Sequence, residues 1–276
     1  MRESFRILVA VDVALKEPFI SITKEGCLET WIPEENSELG VLIYHSIEPG
    51  RVMRKVDDLV EKWRWQGGKL RAYAVSFFLM FLLWPFRRFL PRSKSCRHFS
   101  GGDFEEIEIK IPEARLTQRW KKLQVMRYFL ESTEFDFLLL ITPSCYINKQ
   151  MLVTKLEDWG DSDFLYCGSI QNSHDGPFVA GGALVMNRKT ARRFLDGKNV
   201  IPTHTMDDVA FGLAARTLGV PLSEFSFLDI KDPSKVESSP LRDHFYIRVA
   251  GQKSGARTDV SSLRRVHELL NGEQNR

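Results

Sequence analysis

The segment FLLLITPSCYIN, residues 137–148, is the part of the chain from which the fold is best predicted. Its first five residues, Phe137 to Ile141, are all apolar, which is typical of a strand buried on both faces. The next three, Thr142, Pro143 and Ser144, are typical of a turn. In open α/β sheets, ligands bind beyond the carboxyl ends of the strands. The sequence therefore predicts that this turn lies at a ligand-binding edge.

Strand-like and helix-like segments alternate on both sides of this segment. Apolar or alternating runs predict strands over 6–14, 40–47, 104–111, 163–168, 181–187 and 244–249. Helical spacing and glycine stops predict helices over 51–66, 116–131, 151–156, 188–197, 206–219 and 260–270. This alternation favours an α/β fold with a mixed, mostly parallel sheet and helices on both faces. We expect one domain over residues 1–270 and a flexible tail over 271–276.

Composition and charge exclude several classes of protein. With 43% hydrophobic and 27% charged residues, the 276-residue chain is not predominantly disordered. Its net charge of +3 does not indicate a nucleic-acid partner. The four cysteines (Cys27, Cys96, Cys145 and Cys167) lack metal-ligand spacing, so we expect free thiols in a reducing compartment. The N-terminus does not have the pattern of a signal peptide, and we expect a cytoplasmic protein.

One segment does not fit a simple α/β domain. Residues Tyr73 to Phe86 are nearly all apolar, and they lie within an expected insertion at about 69–97. Basic residues flank the run: Arg71, Arg87, Arg88, Arg92, Lys94 and Arg97. A spanning helix needs about 20 apolar residues, so this run is too short to cross a bilayer. Three alternatives remain open: peripheral membrane contact through Tyr73 to Arg97, a core helix, or an oligomer contact.

Three motifs follow one another after residue 104. Tyr146, Ile147 and Asn148 follow the buried strand and its turn. The pair Gly181-Gly182 then opens a strand, and MDDVAFG, residues 206–212, begins a helix. In this order the chain resembles GT-A glycosyltransferases of the fringe and β-1,3-galactosyltransferase type. The resemblance covers roughly residues 104–220. It implies a GT-A-like fold and transfer of a sugar from a nucleotide-sugar donor.

The turn departs from the pattern of that family. The family has a metal-binding aspartate cluster there, whereas this chain has Thr142, Pro143 and Ser144. The sequence is similar to a branch in which Thr/Ser-type residues replace the aspartates. Hydroxyl groups are poor ligands for Mg²⁺ or Mn²⁺ but can bond a ribose or a phosphate. We therefore expect these three residues to bind the donor, with no divalent metal and no cofactor.

Transfer without metal requires another positive charge beside the leaving diphosphate. Arginine and lysine can supply that charge. The candidates in the C-terminal part are Arg248, Lys253 and Arg257, and His244 falls near where the family often places a late histidine. The alternative is that all four are solvated surface residues.

The acidic pair Asp207 and Asp208 has two interpretations. An inverting transferase needs one carboxylate to accept the proton of the acceptor hydroxyl, and the resemblance assigns that role to Asp208. The alternative is structural. Acidic residues in the first turn of a helix are stabilised by its dipole, and the residue pattern of Thr205 to Asp208 resembles a capping box. Both roles can coexist.

Several further residues are weaker candidates. Gly181 and Gly182 permit close backbone approach to a ligand, or alternatively a bulge. Asp12, near the end of the first strand, is a candidate for contact with the base or ribose of the donor; the alternative is that it stabilises a turn. Two more pairs complete the set. We expect Lys121-Lys122 on a solvated helix face, although family members carry a lysine near the donor there, and His174-Asp175 in a loop that contacts the acceptor.

The sequence thus predicts an inverting, metal-independent glycosyltransferase at the cytoplasmic face of a membrane. Its acceptor would be a glycan or a lipid-linked sugar. Two alternatives remain: a catalytically inactive relative that only binds, and a membrane-surface adaptor that acts through residues 73–97.

Overall fold

The fold is described from a computed structural model of the chain. The described residues are 4–33, 36–51, 53–55, 58, 90–100, 103–160, 162–202, 205–253 and 256–272. The predicted apolar segment Tyr73 to Phe86 and most of the helix expected at 51–66 lie outside these residues. Within them, no helix combines the length and the apolar character needed to cross a membrane.

The main element is an eight-stranded mixed sheet. Its strand order is β3-β4-β2-β1-β5-β8-β7-β9, and four of the seven neighbouring pairs are parallel. The strands are β1 (Ile7–Val13), β2 (Leu39–Ile47), β3 (Ser93–Ser95), β4 (Glu105–Pro112), β5 (Phe137–Ile141), β7 (Tyr166–Ser173), β8 (Gly176–Asn187) and β9 (Ser223–Glu224). The predicted mixed α/β architecture is confirmed.

Helices pack on both faces of this sheet. They are α1 (Phe19–Ser21, continued by a π-helix over Ile22–Cys27), α2 (Gln118–Ser132), α3 (Lys149–Trp159), α4 (Arg188–Asp196), α5 (Asp207–Thr217) and α6 (Asp259–Asn271). Short 3₁₀ turns cover Arg115–Thr117, Lys198–Val200, Pro233–Lys235 and Leu241–Asp243. Helix α3 is longer than the predicted 151–156, because the Asn148 side chain accepts a hydrogen bond from the Met151 amide and starts the helix earlier.

The core is divided between the two faces of the sheet. Strand β1 lies between β2 and β5, and its residues are buried on both sides, as expected for a central parallel strand. On one face, Val9 and Leu139 belong to the same apolar cluster as Leu152 of α3 and Leu263 of α6. On the other face, residues such as Leu138 join apolar side chains of α2, α4 and α5.

Two small sheets hold the C-terminal part of the chain. One has the order β10-β11-β6, with β6 (Cys145–Ile147), β10 (Leu228–Asp229) and β11 (Tyr246–Arg248). The other pairs β12 (Gln252–Lys253) with β13 (Ala256–Arg257). Because Arg248 pairs with Cys145, the first of these sheets brings the tail onto the segment that follows the central strand β5.

The β7–β8 hairpin extends further than the sequence indicates. The predicted strands ended at residue 168 and began again at 181, whereas the observed pairing continues to Ser173 and Gly176. Gly176 has φ of +108°, which a residue without a Cβ adopts at little cost in a tight turn. The hairpin continuation was missed because its exposed, polar residues carry little apolar alternation.

Helix α2 corrects one expectation. Trp120, Leu123 and Leu130 are buried as predicted. Lys121 and Lys122, however, are only 1% and 6% exposed, so the expected solvated helix face is wrong. Apolar periodicity assigns lysine to solvent by default, but a buried ammonium group is stable when carboxylates pair with it.

Candidate functional site

Lys122 binds two carboxylates from the first turn of α5. Its ammonium nitrogen lies 2.6 Å from Oδ2 of Asp207 and 2.9 Å from Oδ1 of Asp208. All three side chains are largely shielded from water, with exposed fractions of 7% for the lysine and 17% and 18% for the two aspartates. The predicted acidic pair is therefore a buried ion-paired cluster.

A backbone amide fixes the orientation of Asp208. Gly181 in β8 donates its N–H to Oδ2 of Asp208 at 2.8 Å, while Lys122 holds Oδ1. A Cβ on Gly181 would come within 2.3 Å of the Asp208 carboxylate, so only glycine permits this approach. The neighbouring Gly182 has room, since its Cβ would meet only the Tyr246 hydroxyl at 3.6 Å.

The environment separates the acidities of the two aspartates. Burial raises the pKa of Asp208, and the negative charge of Asp207 adds to this, against the opposing effect of Lys122. Burial also acts on Asp207, but Lys122 and Arg119 outweigh it and hold its pKa below the usual value. Two carboxylates whose pKa values are driven apart are typical of sites that move protons.

The structural interpretation of the pair is only partly met. The N-cap position of α5 is Met206, and among the described residues its side chain makes no capping hydrogen bond. Arg119 instead holds the preceding segment by donating to the carbonyls of Pro202 and Thr205. The aspartates remain near the positive end of the helix dipole, but their side chains bind Lys122 and Gly181.

A second ion cluster lies on the adjacent position of α2. The Lys121 ammonium group binds Asp12 of β1 and, at 2.7 Å, Glu113. Burial raises the pKa of Asp12 despite this partner, with Glu113 adding to the shift. The pKa of Tyr44 is also raised, by burial and by the charges of Asp12, Glu113 and Asp207. Carboxylates of both the Lys121 cluster and the Lys122 cluster therefore raise the pKa of the Tyr44 hydroxyl.

Strand register places several candidates in one row at the edge of the sheet. Val11 pairs with Ile141, and Ile141 pairs with Ala183. The next positions across these strands are Asp12, Thr142 and Gly182. The carboxyl ends of β1 and β5 therefore meet the glycine pair at one edge of the sheet.

A cavity opens beside this row at the carboxyl ends of β1 and β2. Its volume is about 310 Å³. The lining includes Ala14, Leu15, Lys16, Ser46, Glu48 and Glu113. This cavity was not predicted, because its walls combine the end of β2 with segments that carry no motif.

The turn at 142–144 is held from the protein side. Thr142 lies with its hydroxyl 3.4 Å from the Cys145 sulfur, and the Pro143 carbonyl accepts from the Cys27 thiol at 3.0 Å. Ser144 is buried, and its hydroxyl accepts from Arg257 at 3.0 Å. The turn offers hydroxyl groups and no carboxylate, so it does not fit a divalent cation.

The tail residues proposed to supply positive charge are mostly paired. Arg257 makes a two-point ion pair with the buried Asp259, at 2.8 and 2.6 Å. Arg248 lies 3.6 Å from Asp229. His244 has its Nδ1 3.4 Å from the hydroxyl of Ser226. Lys253 belongs to β12, and its side chain lies outside the described part of the structure.

Tyr246 connects the turn to the glycine pair and was not identified from the sequence. Its hydroxyl donates to the Gly182 carbonyl at 2.9 Å and lies 2.9 Å from the sulfur of Cys145. Cys145 and Tyr146 are buried. An aromatic residue in a short strand is usually a packing residue, so this bridge could not be predicted from the sequence.

His174 and Asp175 occupy the exposed tip of the β7–β8 hairpin. Their side chains are 89% and 49% exposed, with 3.6 Å between the imidazole Nδ1 and the carboxylate. Arg216, near the end of α5, donates to the Asp175 carbonyl. Since Arg216 follows Asp208 by about 12 Å along the helix axis, the hairpin tip lies towards the far end of α5 from the buried carboxylates.

Comparison with known proteins gives only distant similarities. No protein-family model matches the chain, and no curated protein does so either. The glycosyltransferase GlyE of Streptococcus pneumoniae TIGR4 matches 96% of this chain at 11% identity and a TM-score of 0.42. Its apo form matches 99% at 10% identity and 0.44. The chain spans 61–63% of the length of GlyE.

A second solved protein is similar over nearly its whole length. The galactosyltransferase LgtC, in a complex with donor and acceptor sugar analogues, matches 97% of this chain and 96% of its own. The identity is 12% and the TM-score 0.46. Similarity at this level does not establish a family or an activity, so the functional argument depends on the site itself.

The buried cluster makes a specific prediction about stability and pH. Lys122→Met leaves Asp207 and Asp208 without their cation, so their folded-state pKa values rise above the unfolded value of about 3.9. We expect the free energy of unfolding to fall by about 3–5 kcal/mol at pH 7. The deficit shrinks as pH falls through the raised pKa values, because protonation removes the uncompensated charges.

Urea unfolding of both proteins between pH 4 and pH 8 measures this effect. Lys155→Met is the matched control, because the exposed pair of Lys155 with Asp158 contributes about 0.5 kcal/mol or less at any pH. A Lys122→Met deficit that is small, or that does not change with pH, contradicts the buried ion pair.

Proposed function

We propose that the chain is a glycosyltransferase that moves a sugar from a nucleotide-sugar donor to an acceptor hydroxyl with inversion. The observation that carries the proposal is the state of Asp208. It is a shielded carboxylate with a raised pKa, held at a defined angle by Gly181 and Lys122. The hydrogen bond from Gly181 attaches Asp208 to the edge of the sheet where β1, β5 and β8 meet. The motifs that resemble GT-A glycosyltransferases include this edge and the start of α5.

Asp208 has the chemistry of a general base. Each of its oxygens accepts one bond from the protein, and a carboxylate oxygen can accept two. An acceptor hydroxyl donating to it would lose its proton to Asp208 as its oxygen forms a bond to the anomeric carbon. The bond from that carbon to the diphosphate breaks in the same step, and the diphosphate leaves with the electron pair.

Asp207 has a different task in this proposal. Its lowered pKa keeps it ionised, so it holds Lys122 and, through charge repulsion, raises the pKa of its neighbour. Asp207 is thus a positioning residue and Asp208 the base.

The donor would lie along the row formed by Asp12, Thr142 and Gly182. We place its nucleoside in the cavity of about 310 Å³ beyond β1 and β2. The diphosphate would then reach the turn, where the Ser144 hydroxyl and the Arg257 guanidinium are 3.0 Å apart. Arg257 is 27% exposed, so a phosphate oxygen can approach it from solvent while Asp259 holds its other edge.

Arg248, Lys253 and His244 remain proposals for further contacts to the diphosphate, and His174 and Asp175 for contacts to the acceptor. We propose that no divalent metal is needed. The turn supplies no carboxylate to bind one, and the guanidinium group of Arg257 already lies beside it. Arginine stabilises charge on phosphoryl oxygens without a metal.

Our proposals for the class of acceptor and for the location of the protein in the cell rest on a different part of the chain. Arg92, Lys94 and Arg97 are exposed on and beside the edge strand β3, directly after the apolar segment. Exposed basic residues next to an apolar run favour an anionic membrane surface. We therefore propose peripheral contact with the inner face of a membrane and a glycan or lipid-linked acceptor.

Substitution of Asp208 tests the catalytic assignment. Asp208→Asn keeps the shape but removes the basic oxygen, so kcat should fall by about 10²–10⁴-fold while donor binding persists. The measurement is release of nucleoside diphosphate from UDP-, GDP-, dTDP- and ADP-sugars with a mixture of sugar acceptors. Turnover that survives this change would falsify the assignment, and absence of turnover by the unmodified protein with every donor favours the non-catalytic alternative.

Asp207→Asn is the companion variant and gives a pH test. In the unmodified protein the rate should fall on the acid side, around a pKa above the usual 3.8 of aspartate. Removing the charge of Asp207 lowers the pKa of Asp208, so the acid limb of the kcat/KM profile should move to lower pH. A purely structural role for Asp207 would lower the rate without moving the limb.

The glycine pair offers a matched steric test. Gly181→Ala places a methyl group against the Asp208 carboxylate, whereas Gly182→Ala meets only a contact of 3.6 Å. We expect Gly181→Ala to reduce kcat by roughly 100-fold, as misplacement by about 1 Å does. Gly182→Ala should leave kcat within a few-fold and act instead on the KM for the donor, which lies along Gly182 in this proposal. Equal effects of the two substitutions on kcat would show that Asp208 geometry does not limit the reaction.

A further inference from the structure

Three side chains capable of binding a metal converge at the edge of the main sheet. They are His45 of β2, Cys96 just after β3, and Glu106 of β4. The His45 Nε2 lies 3.0 Å from Oε1 of Glu106 and 3.4 Å from the Cys96 sulfur, and the sulfur lies 3.5 Å from the same Oε1. Three different ligand atoms therefore form one small triangle.

The triangle is held in place by backbone contacts. Oε2 of Glu106 accepts the amides of His98 and Phe99 at 2.8 and 3.0 Å, which turns Oε1 towards the other two ligands. The Cys96 amide donates to the Glu106 carbonyl at 3.1 Å. Contacts of this kind orient metal ligands in known sites.

His45 is buried, with a side chain 2% exposed. Among the described residues, its second ring nitrogen, Nδ1, has no hydrogen-bond partner. The ring proton can therefore move to Nδ1, which frees the Nε2 lone pair for a metal, without breaking a hydrogen bond at Nδ1.

The dimensions of the triangle match one face of a zinc tetrahedron. Bonds of about 2.3 Å to sulfur and about 2.1 Å to nitrogen and oxygen place sulfur roughly 3.6 Å from the other ligands and nitrogen roughly 3.4 Å from oxygen. The observed separations are 3.4, 3.5 and 3.0 Å. All three separations are slightly shorter than these values, and the largest change, about 0.4 Å, is between the His45 nitrogen and the Glu106 oxygen.

We propose that His45, Cys96 and Glu106 form a zinc-binding site separate from the sugar-transfer site. A thiolate, an imidazole and a carboxylate suit zinc, whereas Mg²⁺ and Mn²⁺ prefer oxygen ligands. Cys96 and Glu106 line a cleft of about 670 Å³ together with His98, so water or the His98 side chain could supply the fourth ligand. On binding, the Cys96 thiol would lose its proton to solvent. The resulting thiolate, the His45 ring nitrogen and the Glu106 carboxylate would each donate a lone pair to Zn²⁺, whose charge does not change.

The site lies away from the proposed chemistry. Successive residues of a strand point to opposite faces, so His45 faces away from Tyr44, which belongs to the cluster beside α2. Zinc would tie β2 and β4 to the residue that follows the edge strand β3, next to the exposed basic residues.

The test uses the full-length protein, first stripped of metal with a chelator. Titration with Co²⁺ should give one equivalent of binding and a thiolate-to-cobalt charge-transfer band in the near ultraviolet, and Zn²⁺ should displace it. Cys96→Ser should remove the band and weaken Zn²⁺ binding by at least about 100-fold. Loss of a residue that only hydrogen-bonds to a metal ligand already costs about 10–100-fold, and Cys96 would be a ligand itself. Cys167→Ser, which changes a buried thiol elsewhere, should leave both unchanged.

A measurement on the unmodified chain avoids any folding defect of the variant. Zn²⁺ should slow alkylation of the half-buried Cys96, followed by mass spectrometry, while Mg²⁺ should not. The proposal is overturned if the unmodified protein binds neither Co²⁺ nor Zn²⁺ at micromolar concentration. It is equally overturned if Cys96→Ser keeps the band, since the three side chains would then be only a hydrogen-bonded group.

Discussion

The buried ammonium groups of Lys121 and Lys122 are the constraint on which the site depends. Each is nearly inaccessible to water, and moving an ion out of water costs several kcal/mol unless opposite charges compensate. Lys121 is compensated by Asp12 and Glu113, and Lys122 by the carboxylates of α5. Adjacent residues on one helix therefore fix the end of β1 and the start of α5 relative to each other.

This constraint has a chemical consequence. The two carboxylates that share this lysine differ in pKa: Lys122 and Arg119 hold the pKa of Asp207 down, whereas burial and the negative charge of Asp207 raise that of Asp208 despite Lys122 and the Gly181 amide. The result is one carboxylate with a lowered pKa and one with a raised pKa, side by side at the edge of the sheet. A purely structural ion pair has no need of that difference, whereas a base that must accept a proton near neutral pH benefits from it.

The sequence predicts local features better than long-range pairings. Apolar runs located the central strands, and the acidic segment located the start of α5 within one residue. The burial of Lys122 was not predictable, because its partner Asp208 is 86 residues away in the chain. The same applies to Cys96 and His45, which are 51 residues apart and follow no spacing rule. Tyr246 likewise contacts Gly182 across 64 residues.

The central claim is that this edge of the sheet binds a nucleotide-sugar donor without a divalent cation. Calorimetric titration with nucleoside diphosphates and nucleotide sugars, first in EDTA and then in excess Mn²⁺, tests it most directly. Control titrations with Mn²⁺ alone, on the unmodified protein and on Cys96→Ser, measure the heat of any Mn²⁺ binding at the His45, Cys96 and Glu106 cluster. This heat is then subtracted. The account predicts micromolar binding of one nucleotide class in EDTA, unchanged by Mn²⁺. Binding only with Mn²⁺ would contradict the metal-free site, and no binding in either condition would contradict the donor site itself.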